Sequence, residues 1–564
     1  MQIPGTPRTR VALVATASAA LVITSPAVAG ARTVDDTKLT PHTHFTVQPL
    51  NANGTVPAPP AHGADIPNID SVKATIRAYY GATGGIANKA DSPYIDEMAE
   101  LEADALAALP AVDPADKLAV VLDADDTTLW TYDMEDGDPK AQRPGMRFNF
   151  DPVLQNTWVQ NKWFPATPGM PAFVDAVAAK GYAVFGLTGR GESQEEATLQ
   201  NLADVGYHGF DADNFFTKFA SPATKPGYLD CHTSVDPADD PAKCTTVEYK
   251  AGTRKHIEED LGYDIALNVG DQFSDLQGGY ADDTLKLPNP TYYLPSPNIA
   301  GAPASDADLA PRTEFTMNPD GSSGQDADGE GIPNIDNVKG EIRSYYGVAD
   351  PTKPGNSNKA TSPYISEMKG ITTTWSQKLR NRCEKGVRQG IRPAVVFDAD
   401  DTTLWTYDME DAAMKFDFDP VLQNQWVEGE RFPATPGMPK VVRAAAKAGC
   451  KVVGLTGRSN AQRSATLNNL RTYYYDKDGN SLFKQKYYFT KWNSGDLPPA
   501  YVDCAMDSDP VKCSTIEYKS STRKHVQDKF GVHIIANFGD QFSDLIGGSS
   551  DRVVKLPNPT YYLP

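Results

Sequence analysis

Residues 123–136 read DADDTTLWTYDMED, and residues 398–411 repeat them without a change. Each copy follows a short apolar run, AVVL or AVVF, that is typical of a buried strand. Two aspartates separated by one residue at a strand end can supply a nucleophile, an acid or base and metal ligands at one point. The same spacing also fits a turn stabilised by a metal ion, so the accompanying residues decide between the two.

The composition is that of an ordinary globular protein, and the charge argues against some partners. The chain has 564 residues, 40% of them hydrophobic and 22% charged, which is too long for a single core. Its formal net charge of −20 at pH 7 creates a field that repels nucleic acids and anionic membranes. We therefore predict at least two domains, with no nucleic acid polymer and no membrane as partner.

The N-terminus has the features of an export signal. Arg8 and Arg10 precede the apolar run from Val11 to Ile23, and a small-residue cleavage site follows at Ala27-Val28-Ala29. The run is too short to span a bilayer, and no later run is long enough. We predict a signal peptide over residues 1–29 and a secreted, extracellular mature chain.

The repeated segment is part of a repeat that covers most of the chain. Four further segments recur in the same order: IPNID at Ile66 and Ile332, FPATPGMP at Phe164 and Phe432, GDQFSDL at Gly270 and Gly539, and KLPNPTYYLP at Lys286 and Lys555. Such long units are whole domains, because solenoid repeats have periods of about 20 to 50 residues. We predict a tandem duplication, with domains over residues 65–295 and 331–564. Residues 30–64 and 296–330 lack apolar periodicity and are predicted to be a leader and an acidic Gly/Pro-rich linker.

Strand and helix patterns alternate within each unit. In the first unit, residues 119–123, 182–187 and 265–269 have strand patterns, while residues 170–180 and 253–261 have helical ones. This alternation predicts an α/β fold in which helices flank a mainly parallel sheet on both faces. In such sheets, ligands bind outside the carboxyl ends of the strands.

Further candidate functional residues follow the later strand candidates. Thr188-Gly189-Arg190 offers a hydroxyl, backbone N–H groups and a guanidinium to an anion such as phosphate. Lys250 adds a positive charge, and Asp271 and Asp275 add two carboxylates. Converging carboxylates repel one another unless a divalent cation neutralises them. Because few His or Cys are available, their hard oxygens favour Mg²⁺ over zinc.

DxDxT, a strand-end Thr, a Lys and GDxxxD together resemble the four motifs of the haloacid dehalogenase (HAD) superfamily. Through DADDT, LTGR, YKxxxR and GDQFSDL, the chain is most similar to its class B-like and plant-type secreted acid phosphatases. The resemblance covers nearly all of both units. It implies two tandem Rossmann-like domains, each with a small cap insert, that hydrolyse small phosphate monoesters through an aspartyl-phosphate.

The resemblance also implies roles in catalysis and phosphate binding. Asp123 would be the nucleophile, and Asp125 would protonate the leaving group and later activate water. Thr188 with Gly189, and Lys250, would hold the phosphoryl oxygens. The equivalent residues of the second unit are Asp398, Asp400, Thr456, Gly457 and Lys519.

One Mg²⁺ per domain is implied in the same way. Its ligands in the first unit would be Asp123, the backbone carbonyl of Asp125, and Asp271, with Asp275 in support. The equivalent ligands of the second unit are Asp398, Asp400, Asp540 and Asp544. The rival hypothesis is a non-catalytic storage or surface-binding protein, and the intact nucleophile position in both units argues against it.

Export makes the six cysteines candidates for disulfides, although many pairings are possible. Two pairs lie at equivalent places of the repeats, and a third occurs only in the second unit, where two unrelated buried thiols are the alternative. The predicted disulfides are Cys231–Cys244, Cys504–Cys513 and Cys383–Cys450.

The arginines near the motifs have structural as well as functional interpretations. Arg190 and Arg458 fit substrate binding and an ion pair equally well. Arg254 and Arg523, one helical turn after the lysines, are predicted to form structural ion pairs. Asp126, like its counterpart in the second unit, is predicted to shape the turn.

Residues 132–163 lie where HAD enzymes carry cap or specificity elements. Core packing is predicted for most aromatic side chains near this segment and its counterpart, and one or two that faced a cleft would suit an aryl or nucleotide leaving group. These side chains are Trp130, Tyr132, Phe148, Trp158 and Trp163, and Trp405, Tyr407, Phe416, Phe418 and Trp426. Because the second unit lacks the insert around residues 137–147, we expect the two sites to differ in specificity.

Two further expectations concern the linker and assembly. Residues 320–334 resemble calcium-binding repeats, so Ca²⁺ is a possible ligand there, although an acidic flexible linker is favoured. A monomer is expected, because the duplicated chain already supplies a pair of domains.

Overall fold

The structure is a computed structural model that describes residues 61–234, 242–307, 309, 331–504 and 513–563. It also gives the backbone of a two-residue antiparallel pair, Phe45–Thr46 with Glu314–Phe315. The predicted signal peptide, most of the predicted leader and the calcium-like part of the linker lie outside the described residues. The domain boundaries stay predictions, and residues 61–307 and 331–563 are called the first and second halves below.

Each half contains a five-stranded sheet that is parallel throughout. The strands of the first half are β1 (Leu118–Leu122), β2 (Ala183–Gly191), β3 (Phe215–Lys218), β4 (Asp264–Gly270) and β5 (Thr284–Lys286). Those of the second half are β6 (Pro393–Phe397), β7 (Lys451–Ser459), β8 (Tyr488–Lys491), β9 (His533–Gly539) and β10 (Val553–Lys555). The strand orders are β3-β2-β1-β4-β5 and β8-β7-β6-β9-β10. The predicted α/β fold is confirmed.

Helices connect the strands. The first half contains α1 (Ile69–Tyr79), α2 (Pro93–Ala108), α3 (Tyr132–Asp136), α4 (Pro152–Gln160), α5 (Met170–Ala179), α6 (Glu195–Asp204), α7 (Thr246–Glu259) and α8 (Phe273–Leu276). The second half contains α9 (Ile335–Tyr346), α10 (Pro363–Arg388), α11 (Pro420–Glu428), α12 (Met438–Lys447), α13 (Arg463–Tyr473), α14 (Thr515–Phe530) and α15 (Phe542–Leu545). Where the first half has α3, the second has a π-helix, Asp408–Ala413. No helix among the described residues has the length and apolar character needed to cross a membrane.

The central strand β1 is covered on both faces, as the parallel sheet requires. Val120 and Leu122 pack into a cluster with residues of α2 and α5. Ala119 and Val121, which point the other way, pack into a second cluster with residues of α7. The first cluster continues into the second half, so the two halves share one apolar core on that side.

The start of α7 is set by its own sequence. Thr245 and Glu248 form a capping box: the Thr245 hydroxyl accepts from the Glu248 backbone N–H (3.1 Å), and the Glu248 carboxylate accepts from that of Thr245 (2.8 Å). Ser514 and Glu517 do the same for α14. Each cap fixes the start of the helix that carries the motif lysine.

All three predicted disulfides are formed: Cys231–Cys244, Cys383–Cys450 and Cys504–Cys513. The second joins α10 to the residue before β7, and α10 is ten residues longer than α2, 26 against 16. The alternative of two unrelated thiols at Cys383 and Cys450 is therefore wrong.

Candidate functional site

Three aspartates of each half meet where the central strands end. Asp123 directly follows β1, and Asp271 and Asp275 follow β4. Their carboxylate oxygens lie within 4.8 Å of one another, and all three residues are buried. The second half repeats this arrangement with Asp398, Asp540 and Asp544. The structure thus brings the aspartate after the first central strand to a pair of aspartates more than a hundred residues later in the chain.

The motif lysine lies between these carboxylates. Lys250 Nζ donates to Asp123 Oδ1 and to Asp275 Oδ1, at 2.6 Å in each case. In the second half Lys519 donates to Asp398 Oδ1 at 2.8 Å and to Asp544. Each lysine is at most 4% exposed at its side chain. One buried ammonium therefore contacts the nucleophile position of each half.

Burial and mutual repulsion shape the ionisation of the cluster. Burial, together with Asp275 and Asp271, raises the pKa of Asp123 well above its usual value although Lys250 opposes the shift. Burial and Asp275 raise the pKa of Asp271 to about 7. Burial alone would lower the pKa of Lys250, but the adjacent carboxylates outweigh burial and raise it. When all three carboxylates are ionised, the single ammonium leaves an excess of buried negative charge, and the raised pKa values reflect that cost.

This donor set fits a hard divalent cation. Its oxygen ligands match those of Mg²⁺, and a bound cation would remove the excess charge. The Asp271 carboxylate is also held in place, because Oδ2 accepts from Gln272 Nε2 (2.7 Å), Asn289 Nδ2 (2.7 Å) and the Tyr292 hydroxyl (3.1 Å). Such outer contacts orient a metal ligand. Sequence reasoning missed Asn289 and Tyr292, although the repeated KLPNPTYYLP contains both.

Asp125 and Arg190 form an ion pair at the edge of the cluster. Arg190 Nη2 donates to Asp125 Oδ1 (2.5 Å) and Nε to Oδ2 (3.1 Å). In the second half Arg458 Nη2 donates to Asp400 Oδ1 at 2.6 Å. The ion-pair interpretation of these arginines is confirmed, and substrate binding stays a prediction for Arg190, which also lines the cleft. The Asp125 side chain remains 27% exposed and faces the cleft.

The phosphate-binding candidates lie beside this pair. Thr188 is buried, and its hydroxyl accepts from the Arg190 backbone N–H (3.2 Å). Gly189 lines the cleft, whereas Thr188 is not among its lining residues. In the second half Thr456 makes the same contact with Arg458 (3.1 Å).

Asp126 shapes the turn after the nucleophile position, as expected. Its φ is 48°, and its carboxylate accepts from the Thr131 backbone N–H (2.9 Å) and hydroxyl. Burial raises the pKa of Asp126 to about 7 although the Thr131 contacts oppose the shift. Asp401 and Thr406 repeat these contacts.

A cleft of about 400 Å³ opens above the first cluster. Its wall includes Met134, Glu135, Phe150 and Leu294 beside the motif residues. The aromatic side chains considered above for substrate stacking are mostly buried in the core, as expected for the majority of them. The aromatic that reaches the cleft wall near α4 is Phe150, which is 67% exposed; its counterpart Phe418 is 65% exposed.

The prediction of an ion pair at Arg254 is wrong, although the structural role is right. This side chain is fully buried and donates to the backbone carbonyls of Asp275 (2.5 Å), Gln277 (2.5 Å) and Gly279 (2.9 Å). These carbonyls belong to α8 and to the loop that follows it, and the planar guanidinium donates to all three. Arg523 donates to the corresponding carbonyls of the second half.

The raised pKa values predict how pH and Mg²⁺ affect stability. The folded-state pKa of Asp271, about 7, exceeds the ordinary aspartate value of 3.8, so the folded metal-free protein binds more protons than the unfolded chain between those pH values. Its free energy of unfolding is therefore expected to fall as the pH rises through this range. A cation relieves the repulsion, so we expect Mg²⁺ to raise the unfolding temperature more at about pH 7 than at about pH 5. Scanning calorimetry in EDTA and in Mg²⁺ measures both effects.

A double variant tests whether the aspartate clusters cause the pH dependence of the Mg²⁺ effect. Substituting both Asp271→Asn and Asp540→Asn should remove most of the difference between the Mg²⁺ shifts at the two pH values. An equal Mg²⁺ shift in the unaltered protein at both pH values would contradict the prediction.

Comparisons with known proteins agree with this geometry. The family model described as HAD superfamily, subfamily IIIB (Acid phosphatase) matches residues 87–295, 352–493 and 503–564. Acid phosphatase 1 of Solanum lycopersicum is 34% identical over 176 residues, which are 30% of this chain and 60% of that protein. Vegetative storage protein 1 of Arabidopsis thaliana is 28% identical over 180 residues, 30% of this chain and 55% of that protein. The chain thus spans little more than half the length of these curated relatives.

A weaker match is to a solved structure. The class C acid phosphatase from Bacillus anthracis is 21% identical, and the match covers 40% of this chain and 86% of that one with a TM-score of 0.26. The family model covers strands of both sheets and both aspartate clusters. The chain therefore belongs to the HAD superfamily, subfamily IIIB, the acid phosphatases, of which it contains two tandem copies.

Proposed function

We propose that this protein is a secreted, Mg²⁺-dependent acid phosphatase with two active sites for small phosphate monoesters. The observation that carries the proposal is the buried Asp–Lys pair at the end of each central strand, which lies within 4.8 Å of two further carboxylates. Membership of an acid phosphatase subfamily supports the reaction type. Three disulfides support export, because such bonds persist in oxidising compartments.

The residues of the first half suggest the following reaction. Asp123 attacks the phosphorus atom, a bond forms between its carboxylate oxygen and phosphorus, and the bond to the leaving oxygen breaks. Asp125, which faces the cleft, gives that oxygen a proton. Asp125 then takes a proton from water, the water oxygen attacks phosphorus, and phosphate leaves with Asp123 regenerated.

Positive charge and N–H groups hold the phosphoryl oxygens during these steps. In this proposal the Lys250 ammonium and the Gly189 backbone N–H hold these oxygens, and both residues line the cleft. Asp123, the Asp125 carbonyl, Asp271 and Asp275 would hold Mg²⁺. When bound, Mg²⁺ offsets the charge of the cluster and of the substrate.

The rival function is that of a storage protein. Its support is the name of relatives such as vegetative storage protein 1. Against it, both halves keep the nucleophile position, the lysine and the metal-binding carboxylates in contact. The buried carboxylates repel one another even with the lysine between them, and a storage role gives no reason to retain them.

Metal removal tests the proposed activity. We expect the protein to release phosphate from p-nitrophenyl phosphate in Mg²⁺, to lose at least about 100-fold of this rate in EDTA, and to regain it when Mg²⁺ is added back. Absorbance of the released phenol measures the rate. Phosphate release that is insensitive to EDTA would contradict the metal dependence, and no release with any ester of a substrate panel would favour the storage role.

A further inference from the structure

The repeated IPNID and KLPNPTYYLP segments contact each other across the two halves. We call residues 289–294 strap 1 and residues 558–563 strap 2. At the start of α9, Asn334 Nδ2 donates to the carbonyls of Asn289 (3.1 Å) and Tyr292, and the Ile335 backbone N–H donates to the carbonyl of Pro290 (2.9 Å). The N-terminal end of the second half is thus hydrogen-bonded to strap 1, which belongs to the first half.

The contact is reciprocal. At the start of α1, Asn68 Nδ2 donates to the carbonyls of Asn558 (3.3 Å) and Tyr561 (2.5 Å), and the Ile69 backbone N–H donates to the carbonyl of Pro559 (3.0 Å). The first half therefore forms hydrogen bonds to strap 2 with the equivalent atoms. The same contact therefore occurs twice, once in each direction between the halves.

An aspartate strengthens each contact. Asp336 Oδ2 accepts from the Tyr293 backbone N–H of strap 1 (3.3 Å), and Asp70 Oδ2 accepts from that of Tyr562 in strap 2 (3.1 Å). Asp336 also lines the cleft of the first half. The second half therefore contributes to the wall of the first catalytic cleft.

Each strap in turn holds a metal-binding aspartate. In strap 1, Asn289 Nδ2 and the Tyr292 hydroxyl donate to Asp271 Oδ2 at 2.7 and 3.1 Å. In strap 2, Asn558 Nδ2 and the Tyr561 hydroxyl donate to Asp540 Oδ2 at 2.8 and 3.1 Å. The same asparagines and tyrosines also supply the backbone carbonyls that accept hydrogen bonds from the other half. A shift of the strap would therefore move the groups that orient the metal ligand.

Buried lysines add a second link beside each cleft. Lys339, which is 3% exposed, donates to Asp336 (3.1 Å) and to the carbonyl of Phe148 in the first half. Lys73 donates to the carbonyl of Phe416 in the second half. Phe148 lies two residues before Phe150, which lines the cleft. The second half thus contacts two segments that border the site of the first half, and the first half makes the equivalent contacts with strap 2 and with Phe416.

We propose that each catalytic site is completed by the opposite half of the chain: Asn334 and Asp336 are positioning residues for the metal-binding Asp271, and Asn68 and Asp70 for Asp540. The inference rests on the proposed function. It accounts for the two repeated segments that the reaction itself does not use. Loss of the contact in one half should therefore weaken the site of the other.

The test uses variants that keep the helix capped. Asn334 Oδ1 accepts from the Asp336 backbone N–H (3.0 Å), and Asp or Ser at this position preserves that cap but lacks the amide donor to strap 1. Asn334→Asp and Asn334→Ser are therefore compared in the full-length chain, with Asn68→Asp and Asn68→Ser as matched reverse variants. Circular dichroism confirms that each variant is folded.

Each variant is also made in chains in which one of the two sites is inactivated, so that its effect on activity can be assigned to one site. With Asp398→Asn only the first site turns over, and with Asp123→Asn only the second does. We expect the Asn334 variants to raise the Mg²⁺ concentration for half-maximal activity of the first site by about 10-fold or more, and to leave the second within about twofold. The Asn68 variants should do the reverse. An effect confined to the variant's own half, an equal effect on both sites, or none at all would overturn the inference.

Metal binding provides a readout that does not depend on turnover. Electron paramagnetic resonance with Mn²⁺ as the probe should show one of two binding sites weakened by Asn334→Asp in the otherwise unaltered chain. If no variant hydrolyses an ester but one Mn²⁺ site weakens, the proposed activity fails and the positioning across the halves stands. If activity is normal and neither Mn²⁺ site weakens, the positioning fails alone.

Discussion

Substituting both Asp123→Asn and Asp398→Asn is expected to lower hydrolysis of an aryl phosphate by at least about a thousandfold. Asparagine has nearly the same size as aspartate, but its amide does not attack phosphorus. Each single variant should retain the activity of the other site. Initial rates at saturating p-nitrophenyl phosphate and Mg²⁺ measure the effect.

Stability provides the control for this loss. Because the pKa of Asp123 is raised by burial and by its carboxylate neighbours, removing its charge relieves repulsion in the metal-free protein. The unfolding temperature of the double variant in EDTA should therefore not fall below that of the unaltered chain. Full activity in the double variant would reject the enzyme assignment. Loss in only one of the single variants would identify one active site and one scaffold.

The largest expected loss of stability follows from Arg254→Met. Methionine fills similar volume but leaves three buried backbone carbonyls without their donor. An unsatisfied buried polar group costs about 1 to 3 kcal/mol, so we expect the first half to lose about 3 to 5 kcal/mol. One of these carbonyls is that of Asp275 itself, so Mg²⁺ affinity at the first site should fall as well.

Lys255→Met is the matched control for that variant. Lys255 is the next residue on α7, its side chain is 48% exposed, and its pair with Glu259 spans 3.8 Å. An exposed pair of this kind contributes little, so the stability should change by no more than about 0.5 kcal/mol. Urea unfolding followed by fluorescence compares the two variants. Similar midpoints for both would show that the buried carbonyls find other partners.

Much of the fold and of the candidate site can be predicted from sequence for a physical reason. In a parallel sheet the carboxyl ends of the strands lie on one edge, so motifs that follow successive strands converge. Asp123, Lys250, Asp271 and Asp275 are placed together in this way. The pairing of Cys383 with Cys450 was also accessible, because both occur in one unit and lack counterparts in the other.

Other features depend on side-chain direction, which periodicity does not encode. Arg190 has a substrate and an ion pair as possible partners, and only the folded chain directs its guanidinium to Asp125. Arg254 lies one turn after Lys250, but its partners are carbonyls of a loop whose path is set by tertiary packing. Phe150 reaches the cleft while its neighbour Phe148 is buried.

The sequence by itself determined that this protein has two copies of one α/β phosphatase-type unit with the same acidic and basic residues at the strand ends. The repeated segments and the alternation of strand and helix patterns suffice for that, because both can be recognised directly in the order of the residues. Only the tertiary structure decided that the N-terminal end of each copy is hydrogen-bonded to the strap of the other copy. The contact of Asn68 with strap 2 joins residues 490 positions apart, and no pattern within either unit records which half's strap its N-terminus meets. Packing of the two halves makes that choice, since it buries their shared apolar core.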